Sequence, residues 1–392
     1  MLRLLFVSSI LNLFSPDRSE RFASRKPGVD QVARHLEPIM TKTTFQGHLD
    51  DLRSIVEPAL RSALSRGDWP KSLSAAVEYS LMAGGKRLRP VLVLLANEVC
   101  GGSVEAAVPA AIAIEMIHTY SLIHDDLPSM DDDDFRRGRL TSHKVFGEAL
   151  AVLAGDCLLT SAFEIVTSAP LATGQIAELV RILASASGGG GMVGGQVLDL
   201  EAERGSFLTA ENSAALSEMT SNTGCRAGEV AVSRTAEFTG SSEQNEPVPS
   251  SNSDLRANDS NQTAETRVVE LTRIHKMKTG ALIAGALELG AVCASADSVS
   301  RSQLRKYGHC IGLAFQIADD LLDVTGEQTK LGKKPGRDVD LGKLTYPGLL
   351  GINESRQKAE QLVQEACRAV EVFGDRSVWL KDLARFIVER DH

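Results

Sequence analysis

Apolar residues recur at three- and four-residue steps along most of this chain. Leu49, Leu52, Ile55, Val56, Leu60 and Leu64 do so from Phe45 onward, the spacing of a helix with one buried face. Val91 to Val99 and Ala106 to Ile123 are apolar almost all round, which predicts helices enclosed on every side. Leu150 to Thr167, Ile176 to Ala186, Ala281 to Ala294, Leu304 to Val324 and Ser355 to Phe373 read the same way. Strict alternation is scarce. The pattern therefore predicts an all-α fold, a helical bundle around one central cavity.

One stretch interrupts it. Thr235 to Thr266 is rich in Ser, Asn, Glu, Gln and Thr, carries Pro247 and Pro249, and has almost no large apolar residue. Such a segment cannot bury enough surface to offset its ordering entropy, so a disordered surface loop is expected. Helical pattern lies on both sides of it, so it reads as an insertion within one domain spanning 44–392. Residues 1–43 read as an N-terminal extension. Met1 to Phe14 is apolar apart from Arg3, like a short signal segment, but no clean small-residue cleavage site follows. Residues 17–37 mix acids and bases, which fits a transit peptide poorly. A dispensable extension with Met40 as the functional start is the preferred reading, and a targeting peptide is the alternative.

Composition narrows the class. The chain has 392 residues, 43% hydrophobic and only 5% aromatic, with a net charge of −9. The size permits a large core, and the negative charge argues against nucleic acid as a partner. Six cysteines are scattered without a C-x-x-C pair, which favours a reduced, cytoplasmic setting. No uninterrupted run reaches the roughly eighteen apolar residues of a bilayer span, so no transmembrane segment is expected.

The candidate chemistry lies in two acidic clusters. Asp319, Asp320 and Asp323 follow an apolar run at helical spacing, so their carboxylates are expected on one face. Asp125, Asp126 and Asp131 to Asp134 do not fit an unbroken helix, because Asp125 and Asp131 stand about 240° apart around its axis. Pro128 should end or bulge the helix near Leu127 and let the chain carry Asp131 back toward Asp125. Carboxylates this dense repel one another unless a cation sits among them. Divalent ions in such places are commonly shared with a phosphorylated substrate. Basic groups follow each cluster: Arg136, Arg137 and Arg139 after the first, Lys333, Lys334 and Lys343 after the second. A further group, Gly84-Gly85-Lys86-Arg87-Leu88-Arg89-Pro90, suits close approach to a second phosphate group without metal. His124 reads as a satisfied core residue. The glycines from Gly188 to Gly195 lack the strand and spacing of a nucleotide loop. They read as close helix packing, with Gln196 and Asp199 on one face.

Six motifs stand in a single order: GGKRLRP, IHTYSLIHDDLPSMDDDDFRRG, GMVGGQVLDL, KTGAL, FQIADDLLD and GKLTYP. From about Phe45 to the C-terminus the chain resembles the trans-isoprenyl diphosphate synthases. The Leu-Pro-Ser-Met spacing is similar to bacterial farnesyl diphosphate synthases and to many geranylgeranyl diphosphate synthases. The resemblance implies the isoprenoid-synthase helical bundle. It implies a prenyltransferase that joins isopentenyl diphosphate head-to-tail to an allylic diphosphate, dimethylallyl or geranyl. Asp125, Asp126 and Asp131 would hold two of three Mg2+ ions, for which Mn2+ could substitute. Asp319 would bind the third, with Asp320 and Asp323 in support. Arg136, Lys278 and Lys333 would grip the allylic diphosphate. Lys86, Arg89, His118 and Arg137 would hold that of isopentenyl diphosphate. Thr279, Gln316 and Gln196 would line the reacting centre, and Lys343 would close over it. A homodimer is implied.

Chemistry without a strong protein base agrees with the absence of any Ser/His/Asp or Cys/His arrangement, because the departing diphosphate can take the proton. Product length should depend on the cavity floor. Tyr120 lies five residues before Asp125, about 7.5 Å along a helix, which is roughly one isoprene unit. Ser121 beside it is small and adds no block. Farnesyl diphosphate is the expected product, with geranylgeranyl diphosphate or a longer polyprenyl chain as alternatives. A terpene cyclase would not need Lys86, Arg89 and Arg137. A non-catalytic metal-binding subunit would be expected to have lost one of the motifs.

Overall fold

The computed structural model describes residues 44–65, 68–204, 254–325 and 343–389. The expectations placed on residues 1–43 and 235–253, and on Lys333 and Lys334, lie outside them. The elements run α1 (Phe45–Leu64), α2 (Lys71–Leu81), α3 (Leu88–Val99), α4 (Val104–Asp125), β1 (Phe135–Arg136), β2 (Arg139–Leu140), α5 (Ser142–Phe146), α6 (Glu148–Thr167), α7 (Thr173–Ser187) and α8 (Met192–Arg204). After the undescribed stretch come α9 (Asp254–His275), a π-helical turn (Lys276–Gly280), α10 (Ala281–Cys293), α11 (Ser298–Thr325), α12 (Tyr346–Leu350), α13 (Ile352–Ala369), a 3-10 segment (Glu371–Ser377) and α14 (Val378–Glu389). The all-α expectation holds.

Apolar patterning explains the layering. α3, α4 and α10 are enclosed on nearly every side, and every residue of α10 from Leu282 to Cys293 is buried. α4 packs against α3 and α6, α10 against α3, α7 and α11, and α11 against α13. The outer α1 buries one stripe: Leu49, Leu52, Val56 and Leu60 as predicted, with Ala59 and Ala63 beside them, while the predicted Ile55 and Leu64 are half-buried. Its start is fixed by Thr44, whose hydroxyl accepts from the Gly47 amide at 3.1 Å. Tyr307 on α11 is fully buried, and its hydroxyl donates to the Leu380 carbonyl at 2.7 Å, so α14 is tied to the core by a satisfied polar contact.

The structure departs from the sequence reading in three places. Residues 254–266, read as loop, form the first half of α9. Their composition is poor for a core, but α9 ends in the packed residues Leu271 and Ile274, and extending a nucleated helix costs far less than starting one. The second departure is a two-stranded antiparallel pair, Phe135 opposite Leu140 and Arg136 opposite Arg139. Third, Val104–Asp125 and Glu148–Thr167 are long and apolar enough for a bilayer by composition alone. For the first of them, 83% of that window is buried, so it is a core helix. On the second, Val152 and Leu153 remain exposed.

Candidate active site

Five pieces of chain converge on one region: the end of α4, the loop before α3, the face of α8, the π-helical turn and the C-terminal third of α11. α4 stops at Asp125, as the proline anticipated. The chain then folds back, with the Asp131 amide donating to the Asp125 carbonyl at 2.9 Å and the Asp132 amide to the Leu127 carbonyl at 3.1 Å. Asp125 and Asp131 are thereby neighbours. Burial, reinforced by Asp131, pushes the Asp125 carboxyl up to about 6, while Lys278 acts in the opposite direction. Asp126 is buried and paired with Arg136, at 2.7 Å from Nε and 2.6 Å from a terminal guanidinium nitrogen. Arg136 therefore stands directly behind the acidic cluster.

The hairpin presents the next residue. Arg137 and Gly138 both have positive φ, 52° and 73°, in a two-residue turn of the kind that matches strand twist. The Arg137 guanidinium donates to the Gly84 carbonyl. It also lies flat over Gly85, where a Cβ would come within 2.7 Å of its Cζ. The glycine pair thus admits an arginine. Arg89 is enclosed nearby, and its Nε has no hydrogen-bond partner. Burial, with Arg137 adding to it against the pull of Glu115, lowers the Arg89 guanidinium to about 10. His118 is held well below the usual imidazole range, first by burial and then by Arg89, Arg137, Arg136 and Arg87. It is a neutral imidazole in a ring of cations. Lys86 lies exposed at the start of this basic wall.

The π-helical turn joins the two acidic clusters. Lys278 Nζ lies 2.5 Å from Asp199 Oδ2 on α8. The Thr279 hydroxyl donates to Gln316 Oε1 at 2.7 Å, one helical turn before Asp319 and Asp320 on α11. α8 reaches this turn because Gly195 faces it: a Cβ there would overlap the Lys278 backbone nitrogen. Gln196 follows, its side-chain nitrogen buried without a partner. Lys343 Nζ lies 2.9 Å from Glu203 Oε1, and the fields of Asp199 and Asp131 also reach it.

The expected common face of the second cluster divides. Asp319 and Asp323 are half-buried, but Asp320 is in the interior. A step of about 100° from Asp319 turns Asp320 toward α9. There it accepts from the Tyr346 amide at 2.9 Å and lies 3.5 Å from His275 Nε2. Among the described residues no three His, Cys, Asp or Glu side chains already form a cage for an ion.

Three partnerships escaped the sequence reading. Asp199 and Glu203 pair with Lys278 and Lys343. Arg87, the nominal member of the basic motif, is a buried anchor bonded to Glu57 at 2.7 Å, Glu115 at 2.9 Å and the Leu81 carbonyl at 2.8 Å. Glu115, the one carboxylate inside the apolar run from Ala106 to Ile123, was the available signal, since a buried acid needs a cation. His124 is a packing residue, as expected. Its Nε2 contacts the Val152 carbonyl at 3.1 Å, and its ring lies edge-on to Tyr120 with centroids 5.7 Å apart. Tyr120 is buried, and Ser121 donates to the His118 carbonyl at 2.9 Å.

The polyprenyl synthetase family model matches residues 70–250 and 251–374. The chain belongs to that family. Relatives of this polyprenyl synthetase include a dimethylallyltranstransferase of Fischerella ambigua (strain UTEX 1903), 39% identical over 92% of this chain and 88% of its own length. A geranylgeranyl diphosphate synthase of Cyanophora paradoxa is 36% identical over 91% and 100%. The farnesyl diphosphate synthase of Bacillus subtilis (strain 168) is 37% identical over 88% and 97%. Among solved structures, an apo FPP/GFPP synthase from Zymomonas mobilis superposes with a TM-score of 0.65 at 34% identity, covering 88% of this chain and 98% of the other. The expected trans-prenyltransferase family and its all-helical architecture are therefore established for this chain.

Proposed function

We propose that this polyprenyl synthetase condenses isopentenyl diphosphate head-to-tail with dimethylallyl and then geranyl diphosphate, releasing farnesyl diphosphate. The observation that carries the reading is a pair of under-neutralised walls. The acidic one has a carboxyl raised to about 6 at Asp125, and the basic one a guanidinium lowered to about 10 at Arg89. A cation relieves the first and a diphosphate relieves the second.

The residues fit Mg2+. Asp125, Asp126 and Asp131 form a desolvated acidic group with no preformed cage, as suits an ion that shares its shell with phosphate oxygens and water. Asp125 and Asp131, backed by Asp126, would hold two ions, and Asp319 with Asp323 a third. The bound metal would neutralise charge growing on the departing diphosphate. The protein supplies the rest of that stabilisation. Lys278 and Arg136 sit against the acidic cluster, and Lys343 borders the same space, so all three can grip allylic phosphate oxygens. Lys86, Arg89, Arg137 and neutral His118 would orient the second diphosphate. As the allylic C–O bond breaks, the electron pair leaves with the diphosphate. The new C–C bond forms from the alkene of isopentenyl diphosphate, and the resulting cation loses a proton from C2 to the departed diphosphate. Thr279, Gln316 and Gln196 line the space where charge passes. Their dipoles stabilise it, and the Thr279 hydroxyl is held by its hydrogen bond to Gln316.

Tyr120 supports the fifteen-carbon product, because a buried aromatic one isoprene length before Asp125 limits depth. A twenty-carbon product is the second reading, favoured by relatives that carry the geranylgeranyl name. The half-covered α6, with Val152 and Leu153 exposed, supports a homodimer. The described cysteines, all free thiols, support a cytoplasmic setting. The decisive assay supplies purified protein with Mg2+, labelled isopentenyl diphosphate and each allylic primer, and resolves products by length. Fifteen carbons from both dimethylallyl and geranyl primers is the expected result. A twenty-carbon product would replace the farnesyl reading, and no elongation from any primer would end the prenyltransfer reading.

A further inference from the structure

The second acidic cluster contains a carboxylate whose surroundings differ from those of its neighbours. Asp320 is only 8% exposed. One of its oxygens accepts the Tyr346 amide at 2.9 Å. Tyr346 is 1% exposed, and its hydroxyl meets the Thr272 hydroxyl at 2.5 Å. The His275 ring stacks on the Tyr346 ring with centroids 5.7 Å apart and planes at 22°. The same histidine turns Nε2 toward Asp320 at 3.5 Å. Helices α9 and α11 thus clamp the first residue of α12. Thr345, also buried, accepts the Gly348 amide at 3.3 Å, which fixes the chain direction as it enters the clamp. Lys343 stands three residues upstream, within about 10 Å of chain. It reaches Glu203 on α8, at the edge of the first acidic cluster.

We infer that Asp320 is a positioning residue for Lys343, acting through the Tyr346 backbone rather than as a ligand of a bound cation. The inference rests on the prenyltransfer reading for the role of Lys343, but the contact itself does not. One Asp320 oxygen already accepts a backbone amide, which compensates part of its burial without metal, and the His275 Nε2 beside it makes no hydrogen bond of its own. Asp319 and Asp323 are half-buried, more open than Asp320. Removing the Asp320 carboxylate would free the Tyr346 amide, loosen residues 343–346 and let Lys343 leave its position. Asn keeps an oxygen acceptor and would preserve most of the clamp. Ala would not.

The test uses the full-length enzyme with Asp320→Asn, Asp320→Ala, Lys343→Ala and the Asp320→Ala/Lys343→Ala double variant. Without metal or substrate, amide hydrogen exchange at residues 343–346 should rise about tenfold or more in Asp320→Ala and far less in Asp320→Asn, the loss of one buried hydrogen bond. With substrate, Asp320→Ala should raise the allylic-diphosphate KM about tenfold, and Lys343→Ala on top of it should add less than about twofold, since coupled residues are not additive. The Mg2+ concentration for half-maximal rate in Asp320→Asn should stay within about twofold of wild type. Unchanged exchange at 343–346 in Asp320→Ala overturns the inference whether or not the enzyme turns over. So does a rise of about tenfold or more in the Mg2+ requirement of Asp320→Asn, or full multiplication of the two KM effects. If wild-type protein elongates no primer, the prenyltransfer reading fails and the exchange result alone decides the clamp.

Discussion

The acidic wall and the basic wall of the site are built alike and charged oppositely. In each, like charges crowd into a partly dry space: Asp125 with Asp131 on one side, Arg89 with Arg137 on the other. Each wall is also tied from behind by an opposite charge that takes no part in the crowding. Arg136 holds Asp126 behind the acids, and Glu115 with Glu57 holds Arg87 behind the bases. The difference lies in the depth of the tie. The Arg87–Glu115 pair is almost fully enclosed, with side-chain exposures of 1% and 3%, while Arg136 keeps 30% of its side chain in solvent. One wall is therefore anchored in the core and the other at its rim. On the proposed reading, in which metal and diphosphate arrive together, both walls stay crowded until the ligand is bound.

Disrupting either wall should expose that difference. The largest expected effect is on the acidic side, where Asp125→Ala removes a carboxylate proposed to hold metal at the breaking bond. Its kcat should fall by about a thousandfold or more with little change in melting temperature, as read by steady-state kinetics and thermal unfolding. Glu115→Ala on the basic side should do the opposite and act first through stability. Leaving Arg87 buried with one carboxylate partner in place of two should cost about 3–5 kcal/mol in denaturant unfolding. Equal kinetic and stability losses in both variants would break the comparison.

Tyr120→Ala leaves both walls standing and tests the floor between them. Product chromatography should then show chains longer than fifteen carbons. If the variant still stops at fifteen, another residue sets the depth. The smallest effect concerns His118. Its imidazole is neutral in the folded protein, and its folded pKa lies below the unfolded value of about 6.5. The stability it contributes is present above that value. It is lost as pH falls, because the unfolded chain takes up the proton first. Between about pH 6.5 and 5 the ligand-free enzyme should lose melting temperature more steeply than His118→Gln. Parallel pH curves for the two proteins would mean that burial and the surrounding arginines do not hold this ring neutral as described.

Both walls could be read in the sequence to different depths. The break at Leu127 was legible because Pro128 forbids the continuing helix, and the return of Asp131 followed from it. The enclosed helices α4 and α10 were legible because a helix apolar all round has nowhere to go but inside. Asp199 and Glu203 were not, because acids on one face of a helix look the same whether water or a lysine answers them. Arg87 was masked by its motif: flanked by Lys86 and Arg89, it looked like one more phosphate ligand, and only Glu115 across the core distinguishes it. Asp320 was grouped with Asp319 and Asp323 on spacing alone, although spacing cannot say where α9 will lie. The strand pair at Phe135–Leu140 was too short to leave an alternation.

The π-helical turn at Lys276–Gly280 bears on how this enzyme could be engineered. A π turn holds one residue more than the α-helical ladder around it requires. Excising any one of those five residues would let α9 run into α10 as a single regular rod, with better backbone geometry and no surviving catalysis expected. Everything C-terminal of the cut would swivel by about 100° relative to α9, carrying Thr279 off Gln316 or Lys278 off Asp199. Selection for thermal robustness alone would thus tend to straighten the rod, and selection for turnover would keep the surplus residue.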